Sequence, residues 1–376
     1  MIKPKGEYPM LITSTILTYP IAVLLSIGKK SFENIGRIIK ASGRIVASTL
    51  QPAENSFNTA RNICQKFFIQ NKEVYLIIDD TLIRKIFATN MRGSGMFFDT
   101  KLGKCINAFR LVTAMISDGK YTIPIDCFYL FSKEILDLCT EKYPSKEDIV
   151  KSFVKTAFKL FPDKKIIVVA DGLYATTELL TWCSINGIAI EVRMHSNRIV
   201  RYKGNKIKLS ELARIQGVKL TGRQTARTVT VEWHGILLEL TIVKRVDKHD
   251  RESIVFQAAT YKAEPRKHVK VYDIRWNTES GYRTCKQTLG LGDCFSQNLD
   301  VQCNHTAATF LSYAIAQCEM KKHRLKKPEE AIKAIKNVCP ETLLTFSCSF
   351  LPLYCETKTA PASPIPPDNE ITKNNI

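Results

Sequence analysis

The chain has 376 residues, of which 45% are hydrophobic and 24% are charged. This length and composition allow a sizeable core in about two domains, and they exclude an intrinsically disordered protein, a collagen-like fibre and a polytopic membrane protein. Lys and Arg outnumber Asp and Glu by 55 to 36, a net charge of +19, and so large an excess favours a polyanionic partner, above all nucleic acid.

The twelve cysteines form no CxxC pair, and no histidine lies at zinc-finger spacing from them. They are interpreted as free thiols in a reducing cytoplasm, with a disulfide framework as the alternative. The protein is therefore expected in the cytoplasm.

The N-terminal region, residues 1–73, is predicted to be helical. Its apolar stretch at residues 10–27 is interrupted by Pro20 and several threonines and has no small-residue cleavage site after it, which favours a buried or interfacial helix over membrane insertion. Residues 31–70 then carry apolar side chains at three-to-four spacing with basic residues between them. This second pattern predicts either a DNA-contacting helical region or a solvated basic face.

Residues 74–192 have the pattern of an α/β core. Strands are predicted over 74–78, 109–116, 122–131, 166–170 and 188–192, and helices over 148–161 and 176–185. Two of the buried strands end in acid, at Asp79-Asp80 and at Asp171. Strand ends are where α/β folds build their sites, although a single Asp there also serves as a helix cap or turn former.

A basic, β-rich insertion is predicted at residues 193–265. Short β-like segments occur at 199–202, 228–233 and 237–243, and residues 193–251 hold 14 Lys and Arg against 5 Asp and Glu. Charge concentrated in this way indicates a binding surface. Arg193 and Arg198 are candidate DNA contacts there, with an ordinary polar turn as the alternative.

The last part of the core is predicted at residues 266–340, with helices over 272–289 and 307–324, followed by a disordered tail at 357–376. On the first of these helices, Tyr272, Arg275, Glu279 and Lys286 fall within an arc of about 60°. A carboxylate flanked by cations on one face, together with the two strand acids, suits Mg²⁺, which prefers oxygen ligands and leaves positions for phosphate and water. The alternative is a surface stripe in which Arg275 pairs with Glu279.

The spacing Tyr272-(2)-Arg275-(3)-Glu279-(6)-Lys286, behind strands ending in Asp79-Asp80-Thr81 and Asp171-Gly172, resembles a known family. It is similar to the bacterial insertion-sequence transposases of the DDE type, in the group with the Y-(2)-R-(3)-E-(6)-K signature. The resemblance extends over about residues 74–325. It implies a ribonuclease-H-like mixed sheet flanked by helices, with a β-rich insertion before the catalytic glutamate.

The resemblance also implies the roles of the site residues. Asp80, Asp171 and Glu279 would be the catalytic, metal-binding acids, with Asp79 as the alternative to Asp80, since adjacent strand residues point to opposite faces. Two Mg²⁺ ions, for which Mn²⁺ could substitute, would support in-line cleavage and strand transfer. The signature implies that Tyr272, Arg275 and Lys286 contact the end of the transposon. Trp276 is a further candidate DNA contact, by stacking on a base.

The expected partners are double-stranded DNA, as the inverted-repeat ends of the element, and target DNA. A homodimer on DNA, a bacterial nucleoid-associated location and the absence of membrane binding are further expectations. Trp276 and Trp233 would either stack on distorted bases or pack in the core. Two other functions stay open: a ribonuclease-H-like nuclease without strand transfer, and a decayed, catalytically silent DNA-binding protein.

Overall fold

The computed structural model describes residues 16–88, 91–131, 143–216, 224–247 and 249–337. The chain divides into two compact units, one made of residues 1–63, 82–109 and 282–356, and the other of residues 64–81, 110–281 and 357–376. The tail predicted at 357–376 and the first part of the apolar stretch at 10–27 lie outside the described residues. The domain boundaries drawn from composition stay predictions.

The described strands form one mixed sheet of 11 strands in the order β2-β3-β1-β5-β6-β11-β10-β9-β7-β8, with β4 paired to β3. Strands β1, β5 and β6 pair in parallel, and the pairings of β11 with β6 and β10 are antiparallel. The strands are β1 Glu73–Arg84, β2 Gly95–Asp99, β3 Lys104–Ser117, β4 Thr122–Leu130, β5 Lys165–Ala170, β6 Ala189–Met194, β7 Ile199–Tyr202, β8 Asn205–Lys208, β9 Gln224–Trp233, β10 Ile236–Val246 and β11 Glu252–Ala259.

Helices flank this sheet, so the predicted mixed α/β architecture with a β-rich insertion is confirmed. The helices are α1 Thr18–Leu25, α2 Phe32–Ile39, α3 Gly43–Thr49, α4 Ala53–Phe67, α5 Lys146–Leu160, α6 Thr177–Ile185, α7 Leu209–Ile215, α8 Pro265–Asp273, α9 Trp276–Gln287, α10 Leu299–Lys322 and α11 Pro328–Lys336. A short 3-10 turn, Gly172–Tyr174, follows β5.

The centre of the sheet is buried on both faces, as parallel strands covered by helices require. All five residues from Ile166 to Ala170 of β5 are buried, and Leu76 to Ile78 of β1 are likewise inaccessible. Continuous β-branched and aliphatic runs of this kind are favourable only where both faces are packed. They position the polar residues that follow each strand at the edge of a rigid core.

Unit one is organised around α10, which is buried along most of its length. Helix α1 packs on it, and the Tyr19 hydroxyl lies 2.7 Å from Nδ1 of His305 while the Ser312 hydroxyl donates to the Pro20 carbonyl. The part of the apolar stretch that the structure describes is therefore a buried helix. None of the described helices combines the length and apolar character that crossing a bilayer requires.

The single helix predicted over 272–289 is wrong. Helix α8 ends at Asp273 and α9 begins at Trp276, because the amides of Ile274 and Arg275 bond to carbonyls only three residues back. Such bonds tighten the last turn of a helix. Tyr272 therefore lies on α8 while Glu279 and Lys286 lie on α9, and the four residues do not share one continuous helix.

Candidate active site

Two acids stand side by side at the ends of the parallel strands β1 and β5. The register pairs Ile77 with Val169 and Ile78 with Ala170, so Asp79 and Asp171 are the next residues of the two strands. Alternation along each strand gives them the same face as Ile77 and Val169. That face packs against α8, because Ile167 and Val169 contact Val271 and Tyr272.

Arg275 joins Asp79 to Glu279. Its Nη1 donates to Oδ2 of Asp79 at 3.0 Å, and its Nη2 donates to Oε1 of Glu279 at 3.1 Å. The side chains of Arg275 and Asp79 are 13% and 9% exposed, while that of Glu279 is 41% exposed. One guanidinium thus brings the strand acid and the helix acid within reach of the same group.

Asp80 is paired with a different cation. Its Oδ2 accepts a 2.6 Å hydrogen bond from Nε of Arg110 on β3. Its strand neighbour Asp79 is the residue that contacts Arg275, as the two-residue period of a strand requires for adjacent side chains. The side chain of Asp80 is 15% exposed, so it is a largely covered carboxylate with its own countercharge.

The acids raise one another's proton affinity. Burial raises the pKa of Asp79 to about 7, Arg275 opposes this shift, and the charges of Asp80 and Asp171 add to it. Burial likewise raises the pKa of Asp171, against the amide of Leu173 and together with the charge of Asp80. A cluster of carboxylates that hold protons this strongly lacks positive charge.

The turn after β5 fixes the Asp171 carboxylate. Its Oδ1 accepts a 2.7 Å hydrogen bond from the Leu173 amide at the start of the 3-10 turn. Tyr174 closes that turn, and burial beside Asp80, Asp79 and Asp171 raises the pKa of its phenol well above the usual value. The phenol therefore stays protonated next to the acids.

The remaining signature residues differ in their surroundings. Tyr272 is buried at 5% exposure and its ring lies 5.8 Å from Cζ of Arg275. Trp276 is 52% exposed, and Cζ of Arg275 lies 5.3 Å from its ring. Lys286 is exposed near the end of α9 and belongs to unit one.

The two insertion arginines lie on β6 and just after it. The register pairs Val169 with Glu191 and Ala170 with Val192, so Arg193 is the next residue of β6 beside Asp171. Arg198 follows β6, and its Cζ lies 5.8 Å from the ring of Trp233. Trp233 itself is 3% exposed, which favours core packing over base stacking for this residue.

The donor chemistry of the acids fits a divalent cation. Asp79 and Asp171 offer hard carboxylate oxygens, and burial is the main reason that their pKa values are raised. Across the part of the chain that the structure describes, however, no three His, Cys, Asp or Glu side chains lie close enough together to hold a metal ion. Arg275 is the cation that joins Asp79 to Glu279 in this arrangement.

Several residues of the site were not predicted from the sequence. Arg110 and Tyr174 surround the acids, and Gly172 packs against His195: a Cβ built on Gly172 would lie 3.4 Å from Nε2 of that histidine. A lone arginine inside the strand predicted at 109–116 was a usable signal for Arg110. The other two contacts join residues whose proximity only the folded sheet reveals.

A known protein family matches a large part of this chain. Residues 137–315 match the model of the family described as the transposase DDE domain. No curated protein matches the chain significantly. The matched residues include Asp171, Glu279 and the insertion, whereas Asp79 and Asp80 precede them, and the match together with the mixed sheet supports a DDE-type transposase with a ribonuclease-H-like fold.

Proposed function

We propose that this protein is a DNA transposase that cleaves DNA at the ends of an insertion element and transfers the freed strand. The observation that carries the proposal is the register that makes Asp79 and Asp171 neighbours on the face where Arg275 holds Glu279. Three acids from separate elements at the end of a parallel sheet are the arrangement that metal-dependent phosphoryl transfer uses. The family match supports the same reaction class.

Within the proposal the first acid is Asp79, the alternative to Asp80. Asp79 shares a face with Asp171 and contacts Arg275, whereas Asp80 is paired with Arg110. The charge of Asp80 still acts on Asp171, since all three aspartates are near one another. The contact of Asp79 with Arg275, which also binds Glu279, supports this choice, because the third ligand has to come from that side.

The three acids do not form a metal cluster in the described arrangement. With Arg275 displaced from Asp79, the residues that would hold Mg²⁺ or Mn²⁺ are Asp79, Asp171 and Glu279. When bound, such ions supply Lewis-acid polarisation of a phosphate oxygen and a lowered pKa for bound water. The protein's own groups do the rest. The Leu173 amide orients the Asp171 carboxylate, and the guanidinium of Arg275, once it leaves Asp79, has the planar fork that phosphate oxygens accept. Arg193, exposed beside Asp171, would hold the adjacent phosphate.

The reaction would take place without a covalent protein–DNA link. Water would attack one phosphodiester to release a 3′ hydroxyl, and that hydroxyl would then attack a second phosphodiester in line. Tyr272, Trp276 and Lys286 would contact the end of the element. Two ends have to be brought together, so a homodimer on DNA is part of the proposal, and light scattering with and without end DNA tests it.

The test uses the DNA that flanks the coding sequence, cloned as a pair of ends on a supercoiled plasmid. Incubation with Mg²⁺ should yield cleaved ends and joined products, and EDTA should abolish both. We expect Asp171→Asn and Asp79→Asn to lose activity by more than about a hundredfold, in the range measured when a charge-stabilising group of a transition state is removed. Asp80→Asn is the matched control and should retain most of the activity.

The other outcomes decide among the alternatives. Cleaved ends without joined products would favour a nuclease without strand transfer. Activity that is lost in Asp80→Asn but kept in Asp79→Asn would reverse the choice of the first acid. Unchanged activity in Asp171→Asn would refute the proposed site altogether.

A further inference from the structure

The insertion contains a cleft of about 1200 Å³ within unit two. It lies between the segment that follows β6 and the hairpin of β9 and β10, and its lining includes His195, Arg198, Arg201, Lys206 and Trp233. Pockets for small molecules have volumes of about 300–1,000 Å³. This cleft therefore suits an extended ligand.

The cleft is positively charged. Arg201 pairs with Glu232 at 3.0 Å, and no carboxylate pairs with Arg198 or Lys206 among the residues that the structure describes. Both side chains are exposed. A ligand with repeated negative charge would satisfy them, whereas a neutral or cationic ligand would leave them unmatched.

One of these cations lies over a buried aromatic ring of the cleft wall. The guanidinium of Arg198 stacks on Trp233, 5.8 Å from the ring centroid. Trp233 is 3% exposed and ends β9, where His234 and Gly235 form a two-residue turn with φ values of 51° and 84°. Positive φ at both positions is the geometry of the tight hairpin turn that continues the twist of its strands. Stacking on a fixed ring lowers the entropy that Arg198 loses on binding.

One end of the cleft adjoins the acids. His195 lines the cleft and packs against Gly172, the residue after Asp171. A Cβ at Gly172 would lie 3.2 Å from the Arg193 carbonyl and 3.4 Å from Nε2 of His195, so this close approach depends on glycine. Positive groups thus occur at Arg193, beside Asp171, and at Arg198 and Lys206, with the ring of His195 between them.

We propose that this cleft binds one strand of DNA by its phosphate backbone, as that strand leaves the acids. The inference rests on the proposed function, which supplies DNA as the ligand. Proteins that bind single strands use a positively charged groove that follows the backbone, and this cleft offers such a groove. Arg198 and Lys206 each contact a phosphate.

The experiment measures binding of a fluorescent single-stranded oligonucleotide and of its duplex to the full-length protein, in EDTA, over a series of salt concentrations. The test variant is Arg198→Gln with Lys206→Gln. The matched control is Lys159→Gln with Lys262→Gln, which removes two exposed cations outside the cleft. Thermal melting of both variants verifies folding, and Lys206→Gln alone is used if the double variant melts early.

For single strands, the slope of log affinity against log salt changes by about 0.7 for each phosphate contact. We therefore expect the test variant to lose about 1.4 from the magnitude of the slope, and the control to keep the wild-type slope. Slopes that are equal for test variant and control, or a larger loss for the duplex than for the single strand, would overturn the proposal. Binding is measured in EDTA, which prevents cleavage, so binding and cleavage are tested separately. If the test variant keeps the wild-type slope while the protein cleaves DNA normally in Mg²⁺, the proposal for the cleft is refuted and the proposed function is not. If the slope is reduced but the protein does not cleave DNA in Mg²⁺, the proposed function is refuted and the proposal for the cleft is not.

Discussion

Replacing Arg275 with Gln tests the arrangement of the acids most directly. The substitution removes the cation that lies between Asp79 and Glu279. Asp79 is then left buried next to Asp80 and Asp171, both of which already raise its pKa. We expect a loss of stability whose size depends on pH.

The two ion pairs contribute unequally to this loss. Breaking a buried pair by removing one partner costs about 3–5 kcal/mol, and the pair with Asp79, exposed by 13% and 9%, is of this kind. The pair with Glu279, whose side chain is 41% exposed, contributes about 0–1 kcal/mol, since solvent screens it. We therefore expect the free energy of unfolding to fall by about 3 kcal/mol at high pH. This value is at the low end of the range for buried pairs, because Asp79 can take up a proton and so reduce the cost of its unpaired charge.

The direction of the pH dependence follows from Asp79. Its folded pKa of about 7 exceeds the ordinary 3.8, so the folded state binds more protons and stability falls as pH rises between these values. Arg275 lowers that pKa. Without Arg275 the stability continues to fall above pH 7, so the difference from wild type should widen there. Near pH 5.5 the difference should narrow to about 2 kcal/mol, because the variant then loses the guanidinium's hydrogen bond to a protonated Asp79 and the exposed pair with Glu279.

Urea denaturation in EDTA at pH 5.5 and pH 8.5 measures this difference. Arg110→Gln is the matched control, because it removes the guanidinium paired with Asp80 and leaves the contact between Arg275 and Asp79 in place. A difference that is equal at the two pH values, or one no larger than about 0.5 kcal/mol, the scale of an ordinary surface substitution, would refute the reasoning.

Three further predictions concern other parts of the molecule. His268→Ala should destabilise the protein by about 3 kcal/mol, because it leaves the buried carboxylate of Glu191 without its 3.2 Å histidine partner; urea denaturation measures it, and an unchanged midpoint contradicts it. Burial lowers the pKa of His305 from 6.5 to about 4. As the pH falls, the unfolded state takes up this proton before the folded state does, so the free energy of unfolding should fall by about 3 kcal/mol from pH 6.5 to pH 4. His305→Gln should remove this pH dependence. Trp276→Ala should change the free energy of unfolding by less than about 1 kcal/mol, since the ring is 52% exposed and its contact with Arg275 is a cation–π pair. If the variant binds end DNA more weakly without a loss of stability, Trp276 is a DNA contact; a loss of stability would indicate core packing instead.

The sequence predicted the strands of this fold better than the contacts of its site. The strand predicted at 199–202 has those bounds, and the one predicted at 166–170 differs by a single residue. A run of β-branched residues bounded by polar ones is a local signal that needs no knowledge of the partner strand. Asp171 was accordingly found from the end of its strand.

The pair Asp79 and Asp80 could not be resolved in the same way. Both follow the same apolar run, and their difference lies in which face each occupies after β1 pairs with β5. The contact of Asp80 with Arg110 joins residues 30 apart, and that of Asp79 with Arg275 joins residues 196 apart. Contacts at such separations depend on the pairing of whole elements, which a single sequence does not contain.

The failed helix prediction has a related cause. The interpretation of the spacing of Tyr272, Arg275 and Glu279 assumed one straight helix. Backbone hydrogen bonds at three-residue spacing produce the break between α8 and α9, and Arg275 becomes a linker residue between the two helices. From that position its guanidinium reaches both Asp79 and Glu279.

The family match and the strand register support different parts of the proposed site. The match begins at residue 137, after β1, so the matched residues include Asp171 and Glu279 but not the first acid. The proposal takes Asp79 from the register, because β1 pairs residue by residue with β5, which lies inside the match. A slip of one residue in this pairing would carry Asp80 to the face of Asp171 and turn Asp79 away. The assignment of Asp79 therefore depends on the pairing of Ile78 with Ala170, and the two asparagine variants test that pairing through activity.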